Sequence, residues 1–201
     1  MKKTQKINSN LFSLVEVIVT FFGIGNFKFC PGTWASIATL PIWVFLNLFL
    51  IVIGVETNVM FLFVWFIIII GLFALGIWAV DIYMKKNQKH DSSEIVIDEV
   101  VGQLITFVMS LMIMIYFLAQ NPGVVTEILG VYRGPTVCFV SLILVAPVIV
   151  FRYFDIKKPW IIGRCDKNVK GALGVMLDDV LAGFFTSLVM FPLYFFFVLS
   201  L

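Results

Sequence analysis

An all-α fold that crosses a membrane about five times is predicted by three features of this chain. Hydrophobic residues make up 61% of its 201 positions, charged residues only 13%, and the mean hydropathy is +1.07, whereas an ordinary soluble domain carries about 25% charge. Stretches without Asp, Glu, Lys or Arg recur at the length of about 20 residues that a helix needs to cross a bilayer. The third feature is the placement of the basic residues: 13 of the 14 fall in alternate connections between those stretches, the bias that keeps short basic loops on the cytoplasmic side.

Taken in order, the first apolar segment is 8–22. It carries Glu16 with Asn8, Ser9, Asn10 and Ser13, so an interfacial or packed helix is expected there and not a span. Lys2, Lys3 and Lys6 precede it, but no small-residue cleavage site follows, which argues against a secretory signal. Trimmed at turn formers, the charge-free stretches then predict spans at 36–55, 59–80, 100–118, 135–151 and 180–200. With the N-terminus inside, this alternation puts the polar segments 23–36, 81–99 and 152–179 on one face, the cytoplasmic one. There is no internal repeat or linker, and residues 1–201 are expected to form a single domain.

Composition also excludes several functions. A net charge of +2 gives nucleic-acid binding no support. Cys30, Cys138 and Cys165 are far apart and form no CxxC pair, so a disulfide framework or zinc site is not expected. His90 is the only histidine, which rules out two-histidine phosphatase chemistry within one chain. No cysteine has an arginine six positions later, and no Asp-x-Asp pair occurs.

Eight of the twelve acids lie in two short stretches: Asp91, Glu94, Asp98 and Glu99, then Asp155, Asp166, Asp178 and Asp179. Carboxylates beside a membrane helix are costly unless water, a cation or a partner neutralises them. If 92–118 were one helix, Asp91, Glu94 and Asp98 would share a face, with Glu99 at its edge. Asp178 and Asp179 would stand just before the last span, and the two groups could share Mg²⁺, which takes oxygen ligands. Asp91-Ser92-Ser93-Glu94 also reads as an N-cap with its reciprocal Glu. The loop 152–174 interleaves Arg152, Lys157, Lys158, Arg164, Lys167 and Lys170 with Asp155 and Asp166 and with Gly163, Gly171 and Gly174, a mixture suited to a phosphate and its metal. It equally suits a basic loop touching anionic lipid, with Trp160 as an interface anchor. Around Pro31, Gly32 and Thr33, a turn opening a helix would free backbone amides for phosphate oxygens, although a plain turn with Thr33 as a cap reads as well.

PGTWAS at 31–36, HDSSEIVIDEVVGQ at 90–103, FRYFDIKKPW at 151–160 and GALGVMLDDVLAG at 171–183 together resemble the phosphatidylglycerophosphatase A family over nearly the full length. Ala35 departs from the pattern, where a second glycine is expected. The resemblance implies a helical membrane enzyme that uses Mg²⁺ at the cytoplasmic face of the bacterial inner membrane. It would hydrolyse the terminal phosphate of the phospholipid phosphatidylglycerophosphate to leave phosphatidylglycerol. Carried over, the functional positions are Thr33, His90, Asp91, Asp98, Glu99, Arg152, Asp155, Lys158, Asp166, Asp178 and Asp179. Asp98, Glu99, Asp178 and Asp179 are expected to supply most of the metal shell, with Asp155 and Asp166 positioning it. Arg152 and Lys158, with Gly32, Thr33 and Gly171, are expected to meet the substrate. Attack by water and by an aspartate that forms a phosphoryl-enzyme are both compatible with this set. The rival reading is a transporter or channel with an acidic cation path. It should place ionisable groups within the spans, and the predicted spans hold none. Oligomeric state is not legible in the sequence.

Overall fold

The structure, a computed structural model, describes residues 9–55, 58–88, 92–129 and 133–200. All regular structure among them is helical: α1 Ser9–Val19, α2 Pro31–Val52, α3 Asn58–Asn87, α4 Ile97–Gln120, α5 Pro122–Leu129, α6 Arg133–Leu144, α7 Ala146–Lys157, α8 Ile161–Asn168 and α9 Ala172–Leu199, with a short 3-10 turn at Ile24–Asn26. Five segments are long and apolar enough to span a membrane: Pro31–Val52, Val59–Asn87, Ile97–Gln120, Phe139–Lys157 and Ala172–Leu199. The fourth consists of the end of α6 joined to α7 through a break at Val145. Pro147, which has no N–H to give to a preceding turn, explains why the helix restarts there.

α4 is the most buried of the five spans and α3 the least. The most extensive contact is between α4 and α9, and it depends on two glycines. A Cβ on Gly183 would lie 2.4 Å from the carbonyl oxygen of Gly102, and one on Gly102 would lie 2.5 Å from that of Asp179. Apolar side chains gain little by leaving lipid for protein, so close backbone approach and satisfied polar groups carry such a contact. Thr106 Oγ1 lies 3.0 Å from the carbonyl of Gly102 and 3.4 Å from that of Gly183, so one hydroxyl serves both helices. Ser36, Thr39, Thr186 and Ser187 each donate to the carbonyl four residues back, which removes the cost of burying a hydroxyl in the bundle.

α1 packs along α3, burying Val15 and Val19 and stacking Phe12 on Tyr83. Of the two expectations for this segment, packed helix and interfacial helix, it is the contact with α3 that the structure displays. The residues of the turn before α4 are tied to the same corner. Val96 N–H donates to the carbonyl of Val19, and Gly25 sits so close to Glu94 that a Cβ there would lie 2.0 Å from the Glu94 carbonyl oxygen.

Three sequence expectations are corrected. No helix runs from 92: residues 92–96 form a turn and α4 begins at Ile97, so Glu94 leaves the proposed carboxylate stripe and accepts hydrogen bonds from Tyr83 (2.5 Å) and Ser92 (3.0 Å). Asp178 and Asp179 do not precede the last helix but lie inside it, because α9 starts at Ala172. The spans are therefore not free of charge: Asp98 and Glu99 in α4, Arg152 and Asp155 in α7, and the aspartates of α9 are all helical. Searching for charge-free stretches clips a helix at its first acid, whereas helical hydrogen bonding continues through acids that neighbours neutralise.

Candidate active site

The N-termini of α2, α4 and α9 and the C-terminus of α7 meet around one cavity of about 740 Å³. The alternating direction of the spans brings those ends to the same side. Its lining includes Gly32, Thr33, Asp98, Glu99, Arg152, Asp155, Lys158, Asp166, Gly171, Asp178 and Asp179. Every expected site residue within the described part of the chain thus faces one space. His90 and Asp91 lie outside the described residues.

At the inner wall, ligand atoms of Asp98, Glu99 and Asp179 lie within 4.8 Å of one another. Asp155 sits against Asp179. Arg152 enters from α7 between Glu99, at 3.6 Å, and Asp155, which it also pairs with. Gly32 is what allows this: a Cβ there would stand 1.8 Å from Glu99 Oε1 and 2.9 Å from Arg152 Nη1. The N–H of Glu99 donates to Asp98 Oδ1 at 3.1 Å, which orients the first carboxylate.

Asp178 belongs to a different pair. Lys158 bridges it to Asp166, with Nζ 2.7 Å from Asp166 Oδ1 and in contact with Asp178 Oδ2. Burial works against the Lys158 ammonium, but its hydrogen bonds to Asp166 and Asp178 outweigh that and hold its pKa above the usual lysine range. Lys158 is the C-cap of α7 with a left-handed backbone, φ 42°, so the chain turns sharply there and sends the lysine back over α9. Adjacent in sequence, Asp178 and Asp179 are separated by the 100° step of the helix and face different partners.

The donor set fits a hard divalent cation. Among the described residues, Glu99 Oε2, Asp178 Oδ1 and Asp179 Oδ2 are buried carboxylate oxygens with no hydrogen-bond donor. Burying such oxygens unpaired is expensive, and oxygen-rich clusters are what Mg²⁺ binds. Cys165, by contrast, packs inward from α8, and burial pushes its thiol up, as in a structural cysteine and not a nucleophile.

The cavity also has lining residues beyond the expected site positions. Ser92 and Ser93 come from the turn before α4, Cys30 from the left-handed residue that opens α2, and Lys167 and Lys170 from the α8–α9 corner. In the sequence the two lysines stand among the six basic residues of the loop 152–174, which suits a phosphate and its metal and equally a lipid-touching loop. Their spacing from Asp166 and Gly171, both expected at the site, was the available signal.

Comparison with known proteins bears on the chemistry. The family model for phosphatidylglycerophosphatase A matches residues 17–194. A Haemophilus influenzae protein named phosphatidylglycerophosphatase A is 28% identical over 92% of this chain and 91% of its own length. An Escherichia coli protein of the same name is 26% identical over 84% of this chain and 76% of its own. A Bacteroides thetaiotaomicron protein, 29% identical over 86% of this chain and 89% of its own, carries the provisional name phosphatidylinositol-3-phosphatase. No solved structure matches the chain.

Proposed function

Because the chain belongs to the phosphatidylglycerophosphatase A family, and is thus a phosphatase, we propose that it hydrolyses the terminal phosphomonoester of phosphatidylglycerophosphate, with Mg²⁺, at the cytoplasmic face of a bacterial inner membrane. The observation that carries this reading is a single cavity in which the carboxylates of Asp98, Glu99 and Asp179 stand beside Arg152 and Lys158 at the ends of membrane helices. A diacyl lipid keeps its tails in the leaflet and presents its phosphate at that depth.

Asp98, Glu99 and Asp179 would hold the cation, with Asp155 completing the acidic wall and Asp178 offering its free Oδ1. When bound, the ion supplies positive charge that offsets the phosphomonoester and raises its susceptibility to attack. Arg152 is already anchored by Glu99 and Asp155, so its guanidinium is pre-oriented for phosphate oxygens. Lys158, fixed by two aspartates, adds a permanent positive charge on the other wall. Gly32 and Thr33 bring the first turn of α2 to the cavity; Pro31 has no N–H and the amides of Thr33 and Trp34 donate to the Cys30 carbonyl, so it is the Gly32 N–H that can meet an anion there. Overall, water adds its oxygen to phosphorus, the ester bond breaks, and the glycerol oxygen leaves with a proton.

Phosphate release from detergent-solubilised phosphatidylglycerophosphate, with Mg²⁺ titrated against EDTA, tests the proposal. Asp98→Asn and Asp179→Asn should each lose about 10²-fold or more in kcat while inserting normally. Folded variants with full turnover would sink the metal assignment, and inactivity of the parent on this lipid would sink the substrate. Phosphatidylinositol 3-phosphate belongs in the same assay, since the Bacteroides relative's name points to that headgroup.

A further inference from the structure

Four cations line the cavity, and they divide into two classes. Arg152 and Lys158 are committed to acids of the inner wall. Lys167 and Lys170 take part in none of the ion pairs formed among the described residues. Both are exposed, and both face the same space as the carboxylates.

The segment that bears them is well anchored. Lys167 lies in the last turn of α8, a helix that buries Ile162 and Cys165 and packs on α9. Lys170 follows in the bend to Gly171, and that bend is pressed onto α9, since a Cβ on Gly174 would lie 2.0 Å from the Val169 carbonyl oxygen. Gly163 likewise sits against the Lys158 carbonyl, at 2.5 Å for its Cβ position. The two ammonium groups are therefore carried on a fixed corner at the rim, beyond the acids that hold the inner pair.

We infer that Lys167 and Lys170 bind the inner phosphodiester of the substrate, and so select a phospholipid phosphorylated on its headgroup. The inference rests on the function proposed above and extends it. Such a lipid carries two anionic groups: the terminal phosphomonoester, and the diester that joins the headgroup to diacylglycerol. When the first is held at the carboxylate wall, the second lies elsewhere in the same cavity, whose remaining cations are Lys167 and Lys170. Arg152 and Lys158 stand at the inner wall with the terminal phosphate, whereas Lys167 and Lys170 pair with no acid among the described residues. A lone surface lysine more commonly attracts anionic lipid in general. Placement inside the cavity, with a neighbouring arginine outside it, makes the two cases separable: Arg164 is exposed on the same helix but does not line the cavity.

The test uses the full chain in neutral detergent micelles with phosphatidylglycerophosphate as substrate. Phosphatidylglycerol, which has the diester alone, and inorganic phosphate serve as competing ligands. The double variant Lys167→Gln/Lys170→Gln should raise KM about tenfold, the effect of two partly solvated cations, with kcat within about twofold. Inhibition by phosphatidylglycerol should weaken about tenfold while inhibition by phosphate persists, and Lys167→Arg/Lys170→Arg should restore both constants. An unchanged KM overturns the inference, as does Arg164→Gln raising KM equally, or phosphate inhibition weakening in step with that by phosphatidylglycerol. A parent protein that releases no phosphate from this lipid would instead remove the functional reading on which the inference rests.

Discussion

A Cβ at position 32 would stand 1.8 Å from Glu99 Oε1, so Gly32 keeps open the space that the Glu99–Arg152 contact occupies. The intruded atom is the end of a flexible side chain, so Gly32→Ala should displace the carboxylate and leave α2 in place. Misplacing one group at a reacting centre costs about 10²-fold. The expected outcome is a fall of that order in kcat with an unfolding temperature in detergent close to that of the parent. Lys158 makes the opposite prediction. Its pKa is raised in the folded state, so its contribution to stability is fully present below the ordinary lysine pKa and disappears as pH rises through the higher folded value. Lys158→Gln removes the partner of Asp178, which is only 5% exposed. A buried pair broken this way costs 3–5 kcal/mol, and the partial exposure of the lysine brings the expectation to about 2 kcal/mol. Thermal melts of parent and variant should differ by a constant amount between about pH 6 and 9 and converge only at higher pH. A gap that closes near neutrality would show that some other group carries the effect. At this scale the sequence was informative about residue type but not about partnership. Asp178 and Asp179 read as one acidic unit, yet one serves Lys158 and the other the carboxylate group with Asp98 and Glu99.

Helices set the distance between those partners. α4 supplies Asp98 and Glu99, α9 supplies Asp179, and the two cross where Gly102 and Gly183 meet backbone to backbone. A methyl at Gly102 would face the Asp179 carbonyl oxygen at 2.5 Å and the Phe151 ring at 2.7 Å. Neither neighbour is a loose chain end, so the helices themselves must part. Gly102→Ala should therefore lower both the melting temperature and, by about tenfold, the activity, since the shift acts on a carboxylate of the same backbone. Gly71 in α3 provides the control, having no atom within 4 Å of its Cβ position. There alanine should be neutral or stabilising by up to about 1 kcal/mol. Equal losses from the two substitutions would show that the crossing has no special role. The spans were legible because twenty apolar residues have few other uses. Their ends were not, because acids neutralised within a cavity look from sequence like the boundary of a helix. The stripe expected from Asp91, Glu94 and Asp98 failed for a related reason: periodicity assumes a helix, and the turn at 92–96 is held by contacts with Val19 and Gly25, remote in sequence.

For the molecule as a whole, the direction of each span decides which groups can meet. α4 has 24 residues, about 36 Å of helix, enough to cross roughly 30 Å of hydrocarbon. Asp98 and Glu99 lie in its first turn, and Asp178 and Asp179 where the second turn of α9 passes into the third, so the acids sit about one or two turns inside the mouth. The concentration of basic residues at this same end is what the positive-inside rule expects of a cytoplasmic face, in keeping with the orientation proposed above. That orientation can be measured without reference to activity. Cys30 is exposed at the cavity, and Asn121 is exposed beyond the far end of α4. In a Cys138→Ser/Cys165→Ser background, a membrane-impermeant maleimide should label Cys30 in inverted inner-membrane vesicles and not in intact spheroplasts. With Cys30 also replaced by serine, Asn121→Cys should show the reverse. Labelling of both positions from the same side would contradict the topology, and an exchange of the two patterns would put the cavity on the outer face. Only the expected pattern lets the phosphate of a lipid in the cytoplasmic leaflet reach Arg152 and Lys158 without its headgroup crossing the membrane.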